Sequence, residues 1–367
     1  MATSDQELSS DIIFEILTRT SLLQTLDNCK SVSEEWNNLI DDSSFLPIYC
    51  KRTNNLFGYF IQDMKHHKYS FMFVSFNDFN NGSSSSNVCM KSLPDDMRIL
   101  ASCNLGILCC VRRIGRYYRF YVGKPATGQW KCLPNPKLRY ETAAIGIIVL
   151  RSSPLRYKIV RLSRHTVVEC VTEYGKYRCE IFDSESWTWT QTQELKLPCT
   201  TDLISDSSIA VSASNSINWL TYEDNVLSYD KSKETFDKFS LPTHKNSFYK
   251  SKKLVEYNGR LGFTCTTEDG NMELWLRDNE NSKNIDGWSR KMDLGMECVE
   301  KILKYPSPAG FCNGEIAFLK GVGEVAFYNF RNCSFNKVDL DYGLRDAHEV
   351  FHFRSDLEPV DLKAVRR

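Results

Sequence analysis

Three features of the 367-residue sequence predict a mainly β protein with a short helical beginning. Apolar residues recur at three- and four-residue steps within the first 50 positions. From Phe57 onward, short apolar or aromatic runs alternate with turn signals. Those runs also repeat with a period of about 50 residues, the size of one four-stranded propeller blade. Together they predict a module of three helices over residues 1–50, a linker over 51–56, a β-propeller of six blades over 57–355 and a tail over 356–367.

The first helix is read from Leu8, Ile12, Ile13, Ile16 and Leu17, which form one apolar stripe starting near Ser9-Ser10-Asp11. A Ser or Asp at that point can cap the free N–H groups of the first turn. Leu22, Leu26 and Cys29 repeat the spacing for a second short helix after Thr20-Ser21. After a break at Lys30, Ser31 and Glu34 stand at capping-box spacing, and Val32, Trp36, Leu39 and Ile40 give the face of a third helix. A module of about 40 residues cannot exclude water from a core of its own, so it needs another domain or a partner chain over its apolar faces. Its size alone suggests docking.

These residues resemble an F-box. The resemblance rests on Leu8-Ser9-Ser10-Asp11-Ile12-Ile13-Phe14-Glu15-Ile16-Leu17-Thr18-Arg19, on Cys29-Lys30, Val32, Trp36 and Leu39-Ile40, and on the closing Phe45, and it spans residues 8–46. Two F-box prolines are replaced, with Ser9 at the first and Thr20-Ser21 where Leu-Pro is usual. Ser starts a helix by capping where Pro does so by fixing φ. The resemblance implies docking on the small Skp-family adaptor of a cullin–RING ubiquitin ligase. The residues it implies for that contact are Leu8, Ile12, Ile13, Ile16, Leu17, Leu22, Leu26, Val32, Trp36, Leu39 and Ile40. The competing reading is a helical cap on a larger domain.

Strands are expected at Phe57–Ile61, Ser70–Phe76, Ile107–Val111, Arg119–Val122, Tyr157–Leu162 and Val167–Thr172. Turns are expected at Asn80-Asn81-Gly82 before Ser83–Ser86, and at Asn258-Gly259, Asp269-Gly270 and Asn313-Gly314. The repeat runs strand, turn, aromatic residue and often Leu-Pro. Its aromatics are Trp130, Trp189, Phe236, Trp288 and Phe335, at separations of 59, 47, 52 and 47 residues. The segment 57–94, ending in Leu93-Pro94, adds one more unit, and His348–Phe353 is the strand expected to return and close the ring. The region 57–355 resembles the plant F-box-associated domain, a kelch-like propeller. The residues that carry this are Leu100–Cys110, Lys124-Pro125-Ala126-Thr127 with Trp130, Tyr157-Lys158-Ile159-Val160 and Ile217-Asn218-Trp219-Leu220, with Gly123 where an Asn is usual.

The formal net charge is zero but unevenly spread. Residues 1–50 hold nine acids and two bases, whereas residues 111–168 hold thirteen bases and one acid. Neutrality argues against a chain devoted to wrapping nucleic acid or an acidic membrane. The basic stretch is read first as the solvated faces of blades, next as a contact for an acidic protein target, and last as a nucleic-acid site. Arg112, Arg113 and Arg116, near a hairpin tip at Gly115, together with Tyr117, are the candidate target contacts. The 14 cysteines include no Cys-x-x-Cys pair, and the N-terminus lacks a secretory pattern. A reducing compartment, cytoplasmic or nuclear, is expected, with Cys109-Cys110 in the core. The apolar run Ala143–Leu150 is far short of the roughly 20 residues of a membrane span.

Chemical motifs are few. His348-Glu349-Val350-Phe351-His352 matches the H-E-x-x-H zinc signature, which requires a helix, but its residues read as a strand that sends Glu349 to the opposite face from both histidines. Glu358 and Asp361 are poor third ligands. His66-His67 sits in a charged loop, and Gly321-Val322-Gly323 reads as a turn between strands. No Gly-x-Ser-x-Gly elbow or phosphate-binding loop occurs, so neither catalysis nor a metal or cofactor is expected. The resulting expectation is a non-catalytic adaptor: the helices bind the Skp-family adaptor and the propeller binds a target for ubiquitination and degradation. The alternative is a stand-alone propeller binding module whose degenerate F-box joins no ligase, and a zinc hydrolase ranks third.

Overall fold

The computed structural model describes residues 8–363 except 21–25, 27–28, 43, 54, 66–67, 77–92, 95, 116, 139, 165–173, 199–208, 222, 243–248, 250 and 279–286. The expected strand Val167–Thr172, the turn Asn80-Asn81-Gly82 with its serine loop, and the side chains of Leu22, His66, His67 and Arg116 lie outside the described residues.

Six antiparallel sheets form the blades of a propeller. Blade one holds β1 (Leu56–Lys65), β2 (Lys68–Ser75) and, as its first strand, β23 (Glu349–Ser355) from the far end of the chain. The ring is thus closed by hydrogen bonding between the two ends of the domain, with Phe60 opposite Phe351. The other blades have four strands each: β3–β6 over 97–132, β7–β10 over 141–198, β11–β14 over 211–240, β15–β18 over 251–295 and β19–β22 over 307–339.

The repeated aromatics mark equivalent positions in the ring. Trp130, Trp189, Phe236, Trp288 and Phe335 all lie on fourth strands, opposite Gly123, Phe182, Tyr229, Arg277 and Tyr328 of the third. Gly123 is explained by its partner, since a Cβ there would fall 2.2 Å from the Trp130 ring. The Leu-Pro element is explained by the next blade. Trp189 Nε1 donates to the Pro134 carbonyl at 2.7 Å, and Trp288 Nε1 to the Ser240 carbonyl at 2.9 Å, beside the buried Leu133 and Leu241. Trp189 and Trp288 therefore seal their blades against the end of the preceding one.

The core consists of six clusters, one between each pair of neighbouring blades. Cys109 and Cys110 are fully buried in this core, and burial pushes the Cys109 thiol up to about 12. The cluster between blades six and one also takes in Ile13, Leu17, Leu26, Ile40, Phe45 and Tyr49 of the helical module. The module completes a seam of the propeller.

Three helices of that module are described: α1 (Ser10–Leu17), α2 (Glu34–Asp41) and α3 (Phe45–Thr53). Ser33, two residues after the expected Ser31, caps α2 by accepting from the Trp36 N–H at 3.2 Å. Ser9 occupies the cap of α1 without a side-chain bond. Ser10 Oγ instead donates to Glu35 at 2.5 Å and ties α1 to α2. The stretch expected as a linker, 51–56, is helical to Thr53 and enters β1 at Leu56. Helix α3 is held by a stack of Phe45 on Tyr49 at 5.7 Å and by Asn55 Nδ2 donating to Tyr49 Oη at 2.8 Å.

The tail after β23 is a strap. Lys124, buried in blade two, pairs with Asp356, and Gln129 exchanges hydrogen bonds with both backbone groups of Val360 at 2.9 Å. Tyr157 of blade three donates to the Leu362 carbonyl at 2.8 Å, and Leu362 is buried. Among the described residues, no helix is long and apolar enough to cross a membrane.

Candidate functional site

Helix α1 carries two apolar stripes, and among the described residues only one is packed. Ile13 and Leu17 point inward at 5% and 0% exposure, whereas Leu8, Ile12 and Ile16, at four-residue spacing, remain 54%, 49% and 50% exposed. Val32, just before α2, is 62% exposed. A helix apolar on both sides normally has something packed on each. Of the other residues expected to form the contact, Leu26 and Ile40 are buried, and Trp36 and Leu39 are half-buried against the same core. These inner residues shape the module, and the outer four provide its free surface. Phe14, missed by the spacing, packs edge-on against Phe45 at 5.5 Å.

The module is fixed to one face of the disc. Because neighbouring strands run antiparallel, the hairpins joining first to second and third to fourth strands open on one face, and those joining second to third open on the other. The module touches the first set. Lys30 and Asp41 meet Asn258 in the turn between β15 (Ser251–Tyr257) and β16 (Arg260–Thr266). Arg331, in the turn between β21 (Glu324–Asn329) and β22 (Ser334–Asp339), lies 3.6 Å from Asp42. Hydrogen bonds from Ser44 and the charge of Arg331 hold the Asp42 carboxyl below its ordinary range. Arg52 of α3 bonds Glu15 of α1 at 2.8 Å, and this contact first, then Arg19, lowers the Glu15 carboxyl. The Asn258-Gly259 turn is legible in the sequence, but its role as a docking point is not, since Asp41 lies 217 residues away.

The strap spans blades two and three on this same face, so among the described residues the opposite, open face carries neither the module nor the strap. The basic hairpin stands there. Strands β4 (Leu108–Ile114) and β5 (Tyr117–Lys124) turn at Gly115, where φ is +62°. Arg113, Ile114, Tyr117, Tyr118 and Arg119 are all exposed, Arg112 is half-buried, and Arg113 donates to the Gly115 carbonyl at 3.2 Å. The hairpin thus presents aromatic and basic side chains together, away from the helical module.

A central cavity of about 200 Å³ lies among the first strands, lined by Ser102, Ser212, Val255, Gly310 and Val350 among others. His348 and His352 line it, and Lys253 stands at its wall. Glu349 faces away, paired with Arg98 at 2.6 Å. The H-E-x-x-H residues therefore run into a strand, which separates the glutamate from the histidines. No cluster of three or more metal-ligating side chains occurs among the described residues.

The sequence matches two family models: an F-box domain over residues 6–47 and an F-box associated beta propeller domain over residues 57–327. Two proteins of Arabidopsis thaliana are similar to it. F-box protein At5g41720 is 31% identical over 165 residues, covering 42% of this chain and 86% of its own. F-box protein At5g49610 is 24% identical over 348 residues, covering 88% of each. Among solved structures, TolB from Acinetobacter baumannii aligns at 11% identity with a TM-score of 0.43, covering 82% of this chain and 66% of that one.

Proposed function

This chain belongs to the plant F-box proteins that carry an F-box-associated β-propeller, and on that premise we propose that it is the target-recognition subunit of an SCF-type cullin–RING ubiquitin ligase. F-box domains in general bind Skp-family adaptors. The observation that carries the reading here is the outward stripe of Leu8, Ile12 and Ile16 with Val32, left uncovered on a module whose inner stripe is already packed. We assign the adaptor contact to these four, with Trp36 and Leu39 at its edge. Ile13, Leu17, Leu26 and Ile40 act through the shape they give the module.

The target is held on the open face, with Arg112, Arg113, Arg116 and Tyr117 as proposed contacts for an acidic surface. The protein performs no chemistry in this reading. Rigid attachment of the module to blades five and six fixes where a bound target stands relative to the ligase, and that placement raises the effective concentration of target lysines at the charged conjugating enzyme.

Affinity capture under proteasome inhibition tests the proposal, comparing the parent chain with Ile12→Asp/Ile16→Asp. Loss of the adaptor with retention of target proteins supports it, and adaptor capture unchanged by the substitutions contradicts it. Point substitution is preferable to removal of residues 1–50, because that deletion would strip side chains from the seam between blades six and one.

A further inference from the structure

The loops of blades six and one on the open face are laced into one surface. The turn Gly321-Val322-Gly323, between β20 (Ile316–Lys320) and β21, is bonded on both sides. The Val322 N–H donates to the Lys304 carbonyl and the Gly323 N–H to the Arg345 carbonyl, each at 3.0 Å. Lys65, at the end of β1, donates to the Tyr342 carbonyl at 2.8 Å. Four separate segments are thereby held together, three by backbone bonds and the fourth through the Lys65 ammonium.

What this surface displays is unusual for solvent-facing loops. Tyr305 and Tyr342 are each 77% exposed, and Val322 is 46% exposed. Tyr305 is held at φ +53°, a strained conformation for a bulky residue and one that tends to mark functional positions. Each ring has a cation beside it. Lys65 lies 4.5 Å and Arg345 5.5 Å from the centre of Tyr342, and Lys304 lies 5.5 Å from that of Tyr305. Tyrosine and arginine are the side chains enriched where binding energy concentrates.

Resting on the reading that the propeller holds a target, we infer that this surface is a recognition site for an acidic peptide segment carrying an apolar or aromatic anchor. The anchor would lie on Tyr305, Val322 and Tyr342, with its flanking carboxylates at Lys65, Lys304 and Arg345. One cation at the base of the surface, Lys320, favours the same ligand. Lys320 immediately precedes the glycine turn, and Lys253 is close enough to feel its charge. Burial and Lys320 together pull Lys253 down to about 7, and burial lowers Lys320 although Asp346 and Asp63 oppose this. Of the acids in these segments, Glu324 is already paired with Lys337 at 2.9 Å, and Asp63, Asp341 and Asp346 stand against Lys65, Lys304, Lys320 and Arg345.

The test is selection of a displayed random peptide library on the full chain, followed by affinity measurement of the enriched peptides on variants. The expected peptides are rich in Asp and Glu around one apolar residue, and bind at least about tenfold more weakly to Tyr305→Ala/Tyr342→Ala. The affinity should fall as salt is raised. An unchanged unfolding midpoint of that variant shows that the loss is not one of folding. Enriched peptides without acidic bias overturn the inference. Peptides that survive Tyr305→Ala/Tyr342→Ala and fall with Arg112→Glu/Arg113→Glu overturn it too, while leaving the target-holding reading in place. Peptides lost only on Ile12→Asp/Ile16→Asp, with none on the open face, overturn both.

Discussion

Asn258 Nδ2 donates to Asp41 Oδ2 at 2.6 Å, and Lys30 Nζ bridges the pair, 2.8 Å from Asp41 Oδ1 and 3.1 Å from Asn258 Oδ1. One side-chain amide thus joins the last residue of α2 to a hairpin turn of blade five. Asn258 sits at φ +51° and Gly259 at +76°, so Asn258→Gly removes the amide without straining the turn. The expected cost is about 1–3 kcal/mol of junction stability, the net worth of the two hydrogen bonds the amide makes in a partly buried site. Hydrogen exchange should quicken across α2 with little change in the strands of blades two to four. Unaltered exchange in α2 would show that the apolar seam alone holds the module.

The fourth-strand aromatics give a graded series at one structural position. Trp189 is 2% exposed and bonded to the preceding blade, whereas Phe335 is 48% exposed. Trp189→Ala should cost about 3–5 kcal/mol in denaturant unfolding and Phe335→Ala less than about 1 kcal/mol. Trp189→Phe, which keeps most of the packing, should lose about 1–2 kcal/mol from the orphaned Pro134 carbonyl. Equal losses for Trp189→Ala and Phe335→Ala would refute the role given to the seal.

The strap makes its own prediction. Lys124 is 1% exposed, and its ammonium meets the Asp356 carboxylate and the Glu358 carbonyl. Asp356→Ala leaves that buried charge without its carboxylate and should destabilise by about 3 kcal/mol. Adding Lys124→Met should recover part of the loss, because the coupled pair is removed together. Additive losses in the double variant would mean that the two residues act independently.

Lys253 predicts a pH dependence of definite sign. Burial and Lys320 bring it down to about 7, against about 10.4 for a free lysine. Between those values the unfolded chain binds a proton that the folded chain has released, so this group makes stability rise with pH through that window. Below the lower value the penalty is present in full. Lys253→Met should therefore be more stable than the parent at pH 6, on the order of 2 kcal/mol, with the gap narrowing by pH 9. A gap that stays constant or widens with pH would contradict the assignment.

Much of the ring was legible because propeller blades repeat. A spacing of about 50 residues between aromatics is a local pattern, and the Leu-Pro that follows is part of the same sealing contact. The helical module was legible in its period but not in its two-sidedness. Ile12 and Ile13 are both apolar, and only the position of blade six decides which one is covered. Helix α3 was missed because Pro47 and the mixed run from Phe45 to Thr53 lack a clean apolar stripe. The junction and the strap were beyond the sequence, since Lys30 with Asn258, and Lys124 with Asp356, are paired across more than 200 residues by the closure of the ring. The Gly321-Val322-Gly323 turn was visible, but its neighbours at Lys304 and Arg345 were not.

Adaptor binding rests on the uncovered stripe of α1. The most direct measurement is calorimetric titration of the purified full chain with a purified Skp-family adaptor, in parallel with Ile12→Asp/Ile16→Asp and with Arg112→Glu/Arg113→Glu. The expected result is saturable binding by the parent and by the arginine variant, and at least about a hundredfold weakening by the isoleucine variant, whose unfolding midpoint stays within a few degrees of the parent. Parental affinity in the isoleucine variant, or no binding by the parent chain, would contradict it.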